Sequence, residues 1–595
     1  MLKPVDNPFR HTQCLDGIWE FAHQSASHED PAWIHGFAPT HRLAVPGSWN
    51  EQVGELYHAF GFGWYQRRLY LPRLTGGERL FLRIGAVNQD ATIWLDGHCL
   101  GQHIGGHLPI DLELTPQVRP GTAQLLVIRV DARLRQRTLP SGQACREEDR
   151  LGFRNTKPDV PFDFFPFAGI HRSVTLYTCP ASRISRARVQ ATYDGSEGRF
   201  AIRVHADGLT PGMRLRSRIE DQTAEACFSG GQASLHLSVP AVRLWDLGQP
   251  ELYEVQLEIL SADGTTVDAY ALTTGVRKVH CDEKGFYLND RAVWLTGFGK
   301  HEDFPALGRG HSDAVLVRDF DLLRWIQGNS FRTSHYPYDE AWYEYADRTG
   351  LLIIGETPFV SLNEHLFDEE LESRACGVIA EMIERDANHP SVVLWSVANE
   401  PNLRSDRGTA FFRAMAEAAR AADPTRPVGY VAHETAELNA AAAHFDWLGV
   451  NKYFGWYQGT GEIDHTLDAL TECLQAFHET YGLPILLSEF GADAIAGCRS
   501  QVPLIFTENF QCEMVEKQYR AAAALPFVFG CHVWNFAEFA TGQQLNRAFG
   551  NRKGAFTRDR QPKMLAFKLR ELFAMPRAEL LASTPPAPQL GESFS

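Results

Sequence analysis

The sequence of 595 residues predicts a multidomain protein of the β and α/β classes, with two β-sandwiches followed by a TIM (β/α)₈ barrel. Two observations support this prediction. Short β-rich runs separated by turn signals fill the first part of the chain, and from about residue 277 each β-rich run is followed by a helix-length amphipathic segment. Eight such strand–helix pairs over roughly 300 residues are what a barrel of this kind requires.

Residues 1–180 are predicted to form a jelly-roll β-sandwich, because their strand candidates are short, rich in aromatic residues and regularly spaced. Residues 181–276 continue this rhythm over the length of an immunoglobulin-like sandwich. The strand candidates of the first domain are GIWEFAH, WYQRRLYLP, RLFLRIG, DATIWLDG, QLLVIRVDARL and HRSVTLYT, and those of the second are RVQATY, RFAIRVHA, ASLHLSV and LYEVQLEILSADG.

Residues 277–577 are predicted to form the TIM barrel. Its strand candidates are AVWLTGFG, SFRTSH, LLIIGE, SVVLWSVANE, PVGYVAH, WLGVNKY, PILLSEFG and FVFGCHVWNF. Segments with helical periodicity, such as DEELESRACGVIAEMIERD, lie between them. The Pro- and Ser-rich tail, residues 578–595, is expected to be loosely ordered.

Composition argues against several kinds of binding partner and structural site. The formal charge of −16 disfavours nucleic acid and anionic membranes, because both need a basic surface. The eleven cysteines are scattered without a CxxC or Cys/His pattern, which argues against a disulfide framework and a zinc site. The amino terminus lacks the apolar stretch of a secretory signal. We therefore expect a cytoplasmic protein without a metal or cofactor.

Two glutamates end buried strands at the mouth of the predicted barrel. Active sites of such barrels lie at the carboxyl ends of the strands, where strand four ends at Glu400 and strand seven at Glu489. Two carboxyl groups that face one cavity are what glycoside hydrolysis needs, since one protonates the leaving group and the other attacks or activates water. Either glutamate alone can instead cap a helix or pair with an arginine, and the sequence leaves retention or inversion of configuration open.

Three further strand ends carry candidate residues. Tyr453 ends strand six and is expected to donate a hydrogen bond that keeps Glu489 ionised, whereas burial and the second carboxylate are expected to raise the pKa of Glu400. His335 ends strand two, and Trp534 ends strand eight, where it can offer a flat apolar face to a sugar ring. A structural alternative stays open, because tyrosine and tryptophan at strand ends also serve as packing residues.

The segment GNRKGAF indicates a site for a carboxylate. In an extended chain Asn551 and Lys553 point the same way and Arg552 turns aside. An ammonium group beside an amide donor suits a carboxylate ligand, although the segment also fits a basic surface turn. Asp163 lies among aromatic residues in PFDFFPFAGIHR, which requires a polar cavity or a partner such as Arg172.

The chain resembles glycoside hydrolase family 2 in the segments NHPSVVLWSVANEP, LLSEFG, TGFGKHED, FRTSHYPY and NKYFGWY. It resembles the β-glucuronidase branch of that family in NRKGAFTRDRQPK. Three segments near the amino terminus are similar to the sugar-binding domain of the family: LDGIWEF, VPGSWNE and FDFFPFAGIHRSV. The resemblance therefore extends over nearly the whole chain, and it implies the three domains described above.

The resemblance also implies roles for individual residues. Glu400 matches the general acid/base and Glu489 the nucleophile of a retaining mechanism. Asn399 matches the asparagine that hydrogen-bonds the sugar 2-hydroxyl. Asn551 and Lys553 match the pair that holds the C6 carboxylate of a uronic acid.

The resemblance implies that Asp163 reaches the sugar from the first domain, and Arg547 is expected to assist there. The resulting hypothesis is a retaining exo-β-glucuronidase that acts on small-molecule or oligosaccharide glucuronides through a covalent glycosyl-enzyme. Alternatives are a β-galacturonidase or β-galactosidase of the same family, or a non-catalytic carbohydrate-binding protein. A homo-oligomer, dimer or tetramer, is expected because relatives are often tetramers.

Overall fold

A computed structural model describes residues 2–25, 30–136, 138–142 and 157–582. Most of the predicted loosely ordered tail, residues 583–595, lies outside this range, and residues 578–582 belong to a terminal helix, Arg577–Ala582. No helix in the described ranges is both long and apolar enough to cross a membrane.

The first part of the chain is a β-sandwich. Its elements are β1 Thr12–Cys14, β2 Gly17–Ser25, β3 His41–Val45, β4 Gly47–Ser48, α1 Trp49–Gln52, β5 Gly61–Tyr70, β6 Arg79–Ile84, β7 Val87–Asn88, β8 Asp90–Leu95, β9 His98–Ile104, β10 Ile110–Glu113, β11 Ala123–Asp131, β12 Gly169–Ile170 and β13 Val174–Cys179. One sheet has the order β1-β13-β6-β10 and another the order β3-β2-β5-β11-β8-β9, with β4-β12-β7 as a small third sheet. Trp19, Tyr65 and Leu82 are among the buried residues of the core.

The second part is a smaller antiparallel sandwich followed by short strands. Its elements are β14 Arg183–Asp194, β15 Glu197–Asp207, β16 Arg214–Ile219, β17 Gln222–Cys227, β18 Gln232–Pro240, β19 Trp245–Asp246, β20 Gln249–Pro250, β21 Tyr253–Leu260, β22 Thr266–Thr274, β23 Val279–Asp282, β24 Gly285–Leu288 and β25 Arg291–Ala292. The sheet β14-β15-β18 faces the sheet β17-β16-β21-β22. Side chains alternate along each strand, so that Phe200, Ile202 and Val204 of β15 point into the core.

The third part is a closed barrel of parallel strands, as predicted. Its strands are β26 Leu295–Lys300, β27 Ser330–Thr333, β28 Leu352–Glu356, β29 Val392–Asn399, β30 Val428–Ala432, β31 Trp447–Asn451, β32 Ile485–Glu489 and β33 Val528–Val533. These strands are buried along their whole length, which is why several of them, such as β29 and β33, appear in the sequence as nearly continuous apolar runs.

Helices cover the outside of the barrel, with one departure from the predicted pattern. They are α2 Asp313–Trp325, α3 Glu340–Thr349, α4 Glu369–Asp386, α5 Asp406–Ala422, α6 Ile463–Tyr481, α7 Glu508–Ala523, α8 Met564–Ala574 and α9 Arg577–Ala582. Between β30 and β31 two short 3₁₀ helices, Ala436–Leu438 and Ala440–His444, replace the expected helix. Asn439 separates them, and its side-chain amide donates to the Thr435 carbonyl at 2.8 Å, which competes with helical pairing.

The first sandwich contacts the barrel through several segments, and one of them, residues 157–164, carries Asp163. Lys157 pairs with Gln543, and Phe164 with Thr541, as isolated β-bridges to the loop that follows β33. Because that loop lies at the carboxyl ends of the barrel strands, the segment brings Asp163 to the same mouth as the strand-end residues.

A buried ion cluster ties strand, helix and loop of the barrel together. Asp319 of α2 is fully buried and contacts Lys300 of β26 at 2.8 Å and Arg560 at 2.7 Å. Burial alone would raise the pKa of Asp319, but the Arg560 and Lys300 charges hold it below its ordinary value.

Asp319→Ala should lower the free energy of unfolding by about 3–5 kcal/mol, because two buried cations lose their shared carboxylate. Thermal and urea unfolding measure the change. Asp321→Ala is the matched control, since Asp321 lies on the same helix with a side chain that is 63% exposed. Equal losses in the free energy of unfolding for the two variants would show that the buried ion cluster does not stabilise the barrel.

Candidate active site

Glu400 and Glu489 lie at the carboxyl ends of β29 and β32, and side chains shared between them form one site. Glu400 directly follows β29 with a φ of 50°, the left-handed region that L residues rarely adopt. Its backbone N–H donates to the Val431 carbonyl at 2.8 Å. Asn451, at the end of β31, donates from Nδ2 to Glu400 Oε1 at 2.7 Å and to Asn399 Oδ1 at 3.2 Å.

Glu489 is held through both of its carboxylate oxygens. Arg332 Nη2 donates to Oε1 at 2.6 Å, and the Tyr453 hydroxyl donates to Oε2 at 2.7 Å, the hydrogen bond predicted from the sequence. Burial raises the pKa of Glu489 above its ordinary value, although the Arg332 charge and the Tyr453 hydrogen bond act in the opposite direction. Glu489 is the more deeply buried of the two glutamates, at 4% exposed, whereas Glu400, for which the sequence predicted burial, is half-buried.

Arg332 is one residue of the site that sequence reasoning missed. It is fully buried in β27 and donates from Nη1 to both oxygens of Glu356, each at 2.8 Å, and to Asn399 Oδ1 at 3.2 Å. An arginine inside a predicted barrel strand, in SFRTSH, was the available signal, because such a strand is buried and a buried guanidinium needs carboxylate partners.

Glu356 is a third strand-end carboxylate, at the end of β28. Its charge is already satisfied by Arg332, by His335 Nδ1 at 2.8 Å and by the Ser396 hydroxyl at 2.7 Å. Burial would raise the pKa of Glu356, but Arg332 and His335 hold it below its ordinary value. This side chain therefore anchors the arginine and leaves Glu400 and Glu489 as the candidates for a reactive pair.

Aromatic rings form one wall of the site. Trp534 stacks on His335 with ring centroids 5.2 Å apart and meets His301 edge-on at 5.3 Å. His335 Nε2 lies 3.8 Å from Glu489 Oε1. Gly299 makes room for the indole, since a Cβ at this position would lie 2.6 Å from two of its carbons. The two predicted residues thus lie together beside the nucleophile candidate.

Lys553 is buried at the edge of the site and has a counter-ion that the sequence analysis did not identify. Its Nζ contacts Asp493 Oδ2 at 2.5 Å and the Tyr457 hydroxyl at 3.0 Å. The ammonium lies 5.4 Å from the centroid of the Tyr453 ring, and Tyr453 in turn bonds Glu489. The alternative of a solvated surface turn is therefore wrong, because Lys553 is 1% exposed.

Asp163 joins the first domain to this corner. It accepts hydrogen bonds from Arg547 Nε at 2.9 Å and from Asn551 Nδ2 at 2.7 Å. Burial would raise the pKa of Asp163, but the Arg547 charge holds it below its ordinary value. The alternative partner, Arg172, lies elsewhere and pairs with Glu302 at 3.4 Å.

A continuous series of contacts joins the residues predicted from the sequence: Asp163, His335, Asn399, Glu400, Tyr453, Glu489, Trp534, Arg547, Asn551 and Lys553. Among the described residues, no group of three or more His, Cys, Asp or Glu side chains is arranged to hold a metal ion.

Family models and solved structures match the whole chain. Models described as glycosyl hydrolases family 2 match in three parts: the sugar-binding domain at residues 12–180, the central domain at residues 176–277 and the TIM barrel domain at residues 279–576. Beta-glucuronidase of Paenibacillus borealis is 36% identical over 585 residues, covering 96% of this chain and 98% of the relative. The human beta-glucuronidase is 33% identical, covering 96% and 92%.

Two solved structures extend the comparison to the fold. Beta-glucuronidase of Bifidobacterium dentium complexed with coumarin-3-O-glucuronide superposes with a TM-score of 0.91 at 34% identity, covering 97% of this chain and 99% of that chain. Beta-glucuronidase of Ruminococcus gnavus in complex with D-glucuronic acid superposes with a TM-score of 0.88 at 32% identity, covering 96% and 99%.

Tyr453→Phe should move the acidic limb of the pH profile of kcat/KM for an aryl glycoside upward by about one pH unit. The lost hydrogen bond stabilises ionised Glu489 and is worth about 1.5–3 kcal/mol, so its removal raises the pKa of a group that must be deprotonated to attack. Steady-state kinetics across pH measure the shift. Tyr430→Phe is the control, since its hydroxyl bonds Asn439, and an unchanged limb in Tyr453→Phe would refute the assignment.

Proposed function

Because the chain belongs to glycosyl hydrolase family 2, we propose that it is an exo-acting β-glucuronidase that releases terminal β-D-glucuronic acid with retention of configuration. We infer the substrate class from the relatives named above, which are beta-glucuronidases. We infer retention because it is the stereochemistry of the family. We assign Glu489 as the nucleophile and Glu400 as the general acid/base.

One observation carries this proposal: a buried ammonium lies beside the carboxylate pair. Lys553 contacts the ring of Tyr453, whose hydroxyl bonds Glu489, while Asn451 connects Glu400 to Asn399. A sugar whose anomeric carbon meets Glu489 therefore has a cation within reach for a carboxylate on its far side. This is the arrangement that a uronic acid requires.

The reaction consists of two displacements. In the first, a Glu489 carboxylate oxygen bonds to the anomeric carbon, the bond from that carbon to the aglycone oxygen breaks, and Glu400 gives its proton to the departing oxygen. In the second, Glu400 takes a proton from water, the resulting hydroxide attacks the anomeric carbon, and the ester bond to Glu489 breaks. Glu400 and Glu489 return to their starting states.

Arg332 and Tyr453 orient the nucleophile for the first displacement. Each binds a different oxygen of Glu489, so that rotation of the carboxylate costs at least one charge-assisted hydrogen bond. Asn399, next to the acid/base, is fixed by Arg332 and Asn451, and we assign it to the sugar 2-hydroxyl. That contact strengthens as positive charge develops on the sugar.

The C6 carboxylate is assigned to Lys553 and Asn551, with Arg547 and Asp163 as supporting residues. The Lys553 ammonium has three N–H groups, and Asp493 and Tyr457 accept two, which leaves one for a ligand. Since Asp493 already neutralises this ammonium, the ammonium has a counter-ion even when a neutral hexose is bound. Discrimination against neutral sugars is therefore smaller than a lone buried lysine would impose, and a β-galacturonide, which carries the same carboxylate, is the second candidate substrate.

We also propose that the enzyme acts in the cytoplasm as a homo-oligomer, a dimer or tetramer. The ten cysteines of the described residues are free thiols, which supports a reducing compartment. Exposed apolar side chains near the mouth of the barrel support a partner surface: Val502, Leu504, Ile505, Leu545 and Phe549.

Glu489→Gln should abolish turnover of every glycoside, because no other carboxylate is free to attack. Glu400→Gln should retain activity mainly on aryl glucuronides with an acidic phenol, since such leaving groups depart without a proton. Release of the phenol measures both variants. A carbohydrate-binding protein without activity would show no turnover even in the wild type, and inversion would be revealed if the first product detected by NMR were the α-anomer.

Lys553→Gln should reduce kcat/KM for an aryl β-glucuronide by about tenfold or more, and change that for the aryl β-galactoside much less, because one charge-assisted hydrogen bond to the C6 carboxylate is lost. Four aryl glycosides, the glucuronide, galacturonide, glucoside and galactoside, provide the comparison. Lys517→Gln is the control, since this lysine is on the outer helix α7 and pairs with Asp464 and Glu513. Equal losses on all four sugars would place Lys553 outside the recognition site.

A further inference from the structure

A second groove lies at the opposite end of the barrel from the catalytic site. It runs between the outward face of the sheet β14-β15-β18 and the loops that lead into β29 and β30, which are the amino-terminal ends of the barrel strands. A cavity of about 500 Å³ and a neighbouring one of about 440 Å³ form it, and both are lined by Arg188, Gln190, Ala201 and His236. Asn388 fixes the sheet to the barrel through hydrogen bonds to Val189 and Ala187, both at 2.9 Å.

The groove is strongly basic in a protein of net charge −16. Its described lining holds one carboxylate, Glu384, and seven cationic side chains: Arg186, Arg188, Arg199, Arg203, Arg277, Lys278 and Arg426. Asp423, just behind the lining, pairs with Arg188 at 3.1 Å and with Arg426 at 2.5 Å, and Arg199 pairs with Asp194 and Glu197. The positive charge of the groove therefore exceeds what these four carboxylates neutralise.

Several of these cations oppose each other directly. Arg188 of β14 is the register partner of Arg203 of β15, and Arg186 is the register partner of His205. Like charges at directly opposed positions destabilise a sheet. Arg188 has Asp423 as a counter-ion, but within the described residues neither Arg186 nor Arg203 forms an ion pair, so these two arginines have no carboxylate partner of their own.

The inner end of the groove contains arginines with too few counter-ions. Arg277 is buried, and it donates from Nε to the Pro390 carbonyl at 2.7 Å and from Nη2 to the Val392 carbonyl at 2.6 Å. Burial lowers the pKa of Arg277, and the neighbouring Arg426 lowers it further. Burial, only partly offset by Asp423, likewise lowers the pKa of Arg188 to about 10. An external anion would relieve both effects.

We propose that this groove binds a linear anionic polysaccharide. Along β14 the lining extends from Arg186 to Thr192, seven residues that span about 20 Å of extended strand, which is too long for one small anion. Neutral hydrogen-bonding side chains stand between the cations, among them Gln190, Ser234 and Ser238, and these suit the hydroxyl groups of a sugar chain.

Carbohydrate fits this surface better than nucleic acid does. The outward-facing positions of β14, β15 and β18 hold no Phe, Tyr or Trp on which bases would stack. Carbohydrate is the substrate of the family to which the chain belongs, and a chain held at this groove stays near the enzyme without entering the catalytic site.

The test measures binding of a hyaluronan oligosaccharide that ends in N-acetylglucosamine at its non-reducing end. This probe carries repeated carboxylates but presents a neutral sugar to an exo-acting site, so binding reports on the groove. Arg186→Glu combined with Arg203→Glu should weaken binding at least about tenfold, since two charge-assisted contacts become repulsive. Both side chains are exposed, and calorimetry with circular dichroism reads affinity and folding together.

Arg42→Glu combined with Arg68→Glu is the matched control, because it changes the net charge equally through exposed arginines of β3 and β5. Binding should stay within about twofold there and should weaken in all proteins as salt increases. Hydrogen exchange on the wild type should show protection of β14 and β15 by the oligosaccharide, a readout that no variant's folding affects. An aryl glucuronide assay of the same proteins tests the proposed function separately.

Four results would overturn the proposal. The first two are an unchanged affinity for the oligosaccharide in the Arg186 and Arg203 variant, and an equal loss of affinity in the control variant. The third is an absence of hydrogen-exchange protection in β14 and β15. The fourth is tighter binding of a double-stranded DNA oligonucleotide or a poly-glutamate peptide than of hyaluronan. Neutral dextran should not bind, and binding of dextran equal to that of hyaluronan would also contradict a site built on charge.

Discussion

The site depends on one buried guanidinium. Arg332 lies inside the barrel with no exposed surface and contacts Glu356, Glu489 and Asn399, which end three different strands. Three strand-end carboxylates, with Glu400 as the third, would repel each other at the mouth of the barrel without a central cation. Breaking a buried ion pair on one side leaves an uncompensated charge, so each partner constrains the others. The positions of the site carboxylates and the packing of the barrel strands therefore depend on the same buried arginine.

Much of the fold was predictable because parallel barrel strands are buried on both faces and therefore appear as apolar runs. The barrel strands fall within the predicted segments, except that β26 continues one residue further, to Lys300. For the segment between β30 and β31, the sequence predicted the position of a helical element but not that it consists of two 3₁₀ helices. Its sequence offers alanines that favour a helix, but Asn439 satisfies both the Thr435 carbonyl and the Tyr430 hydroxyl, and this tertiary arrangement outweighs propensity. Such a choice depends on Tyr430, which is not a sequence neighbour.

The residues of the site also differ in whether a local sequence signal or only a tertiary contact identifies them. Glu400, Glu489, Tyr453 and Trp534 were found because a strand end at the carboxyl side of a barrel is informative by itself. Asp493 was not found, because its meaning lies in a partner 60 residues away, Lys553. Residues whose role is to neutralise another side chain carry no local pattern, and they emerge only when the fold brings the pair together.

Asp493 also determines how this enzyme can change its sugar. The backbone N–H of Arg552 donates to Asp493 Oδ1 at 2.7 Å, so one carboxylate holds both the ammonium and the backbone of the recognition segment. A substitution at position 553 that removes the charge leaves the buried Asp493 with Arg547, at 3.3 Å, as its remaining cation, whereas a substitution at 493 removes the carboxylate partner of a buried amine. An evolutionary route from uronates to neutral sugars therefore passes through coupled replacements, and the two positions are expected to be inherited as a unit.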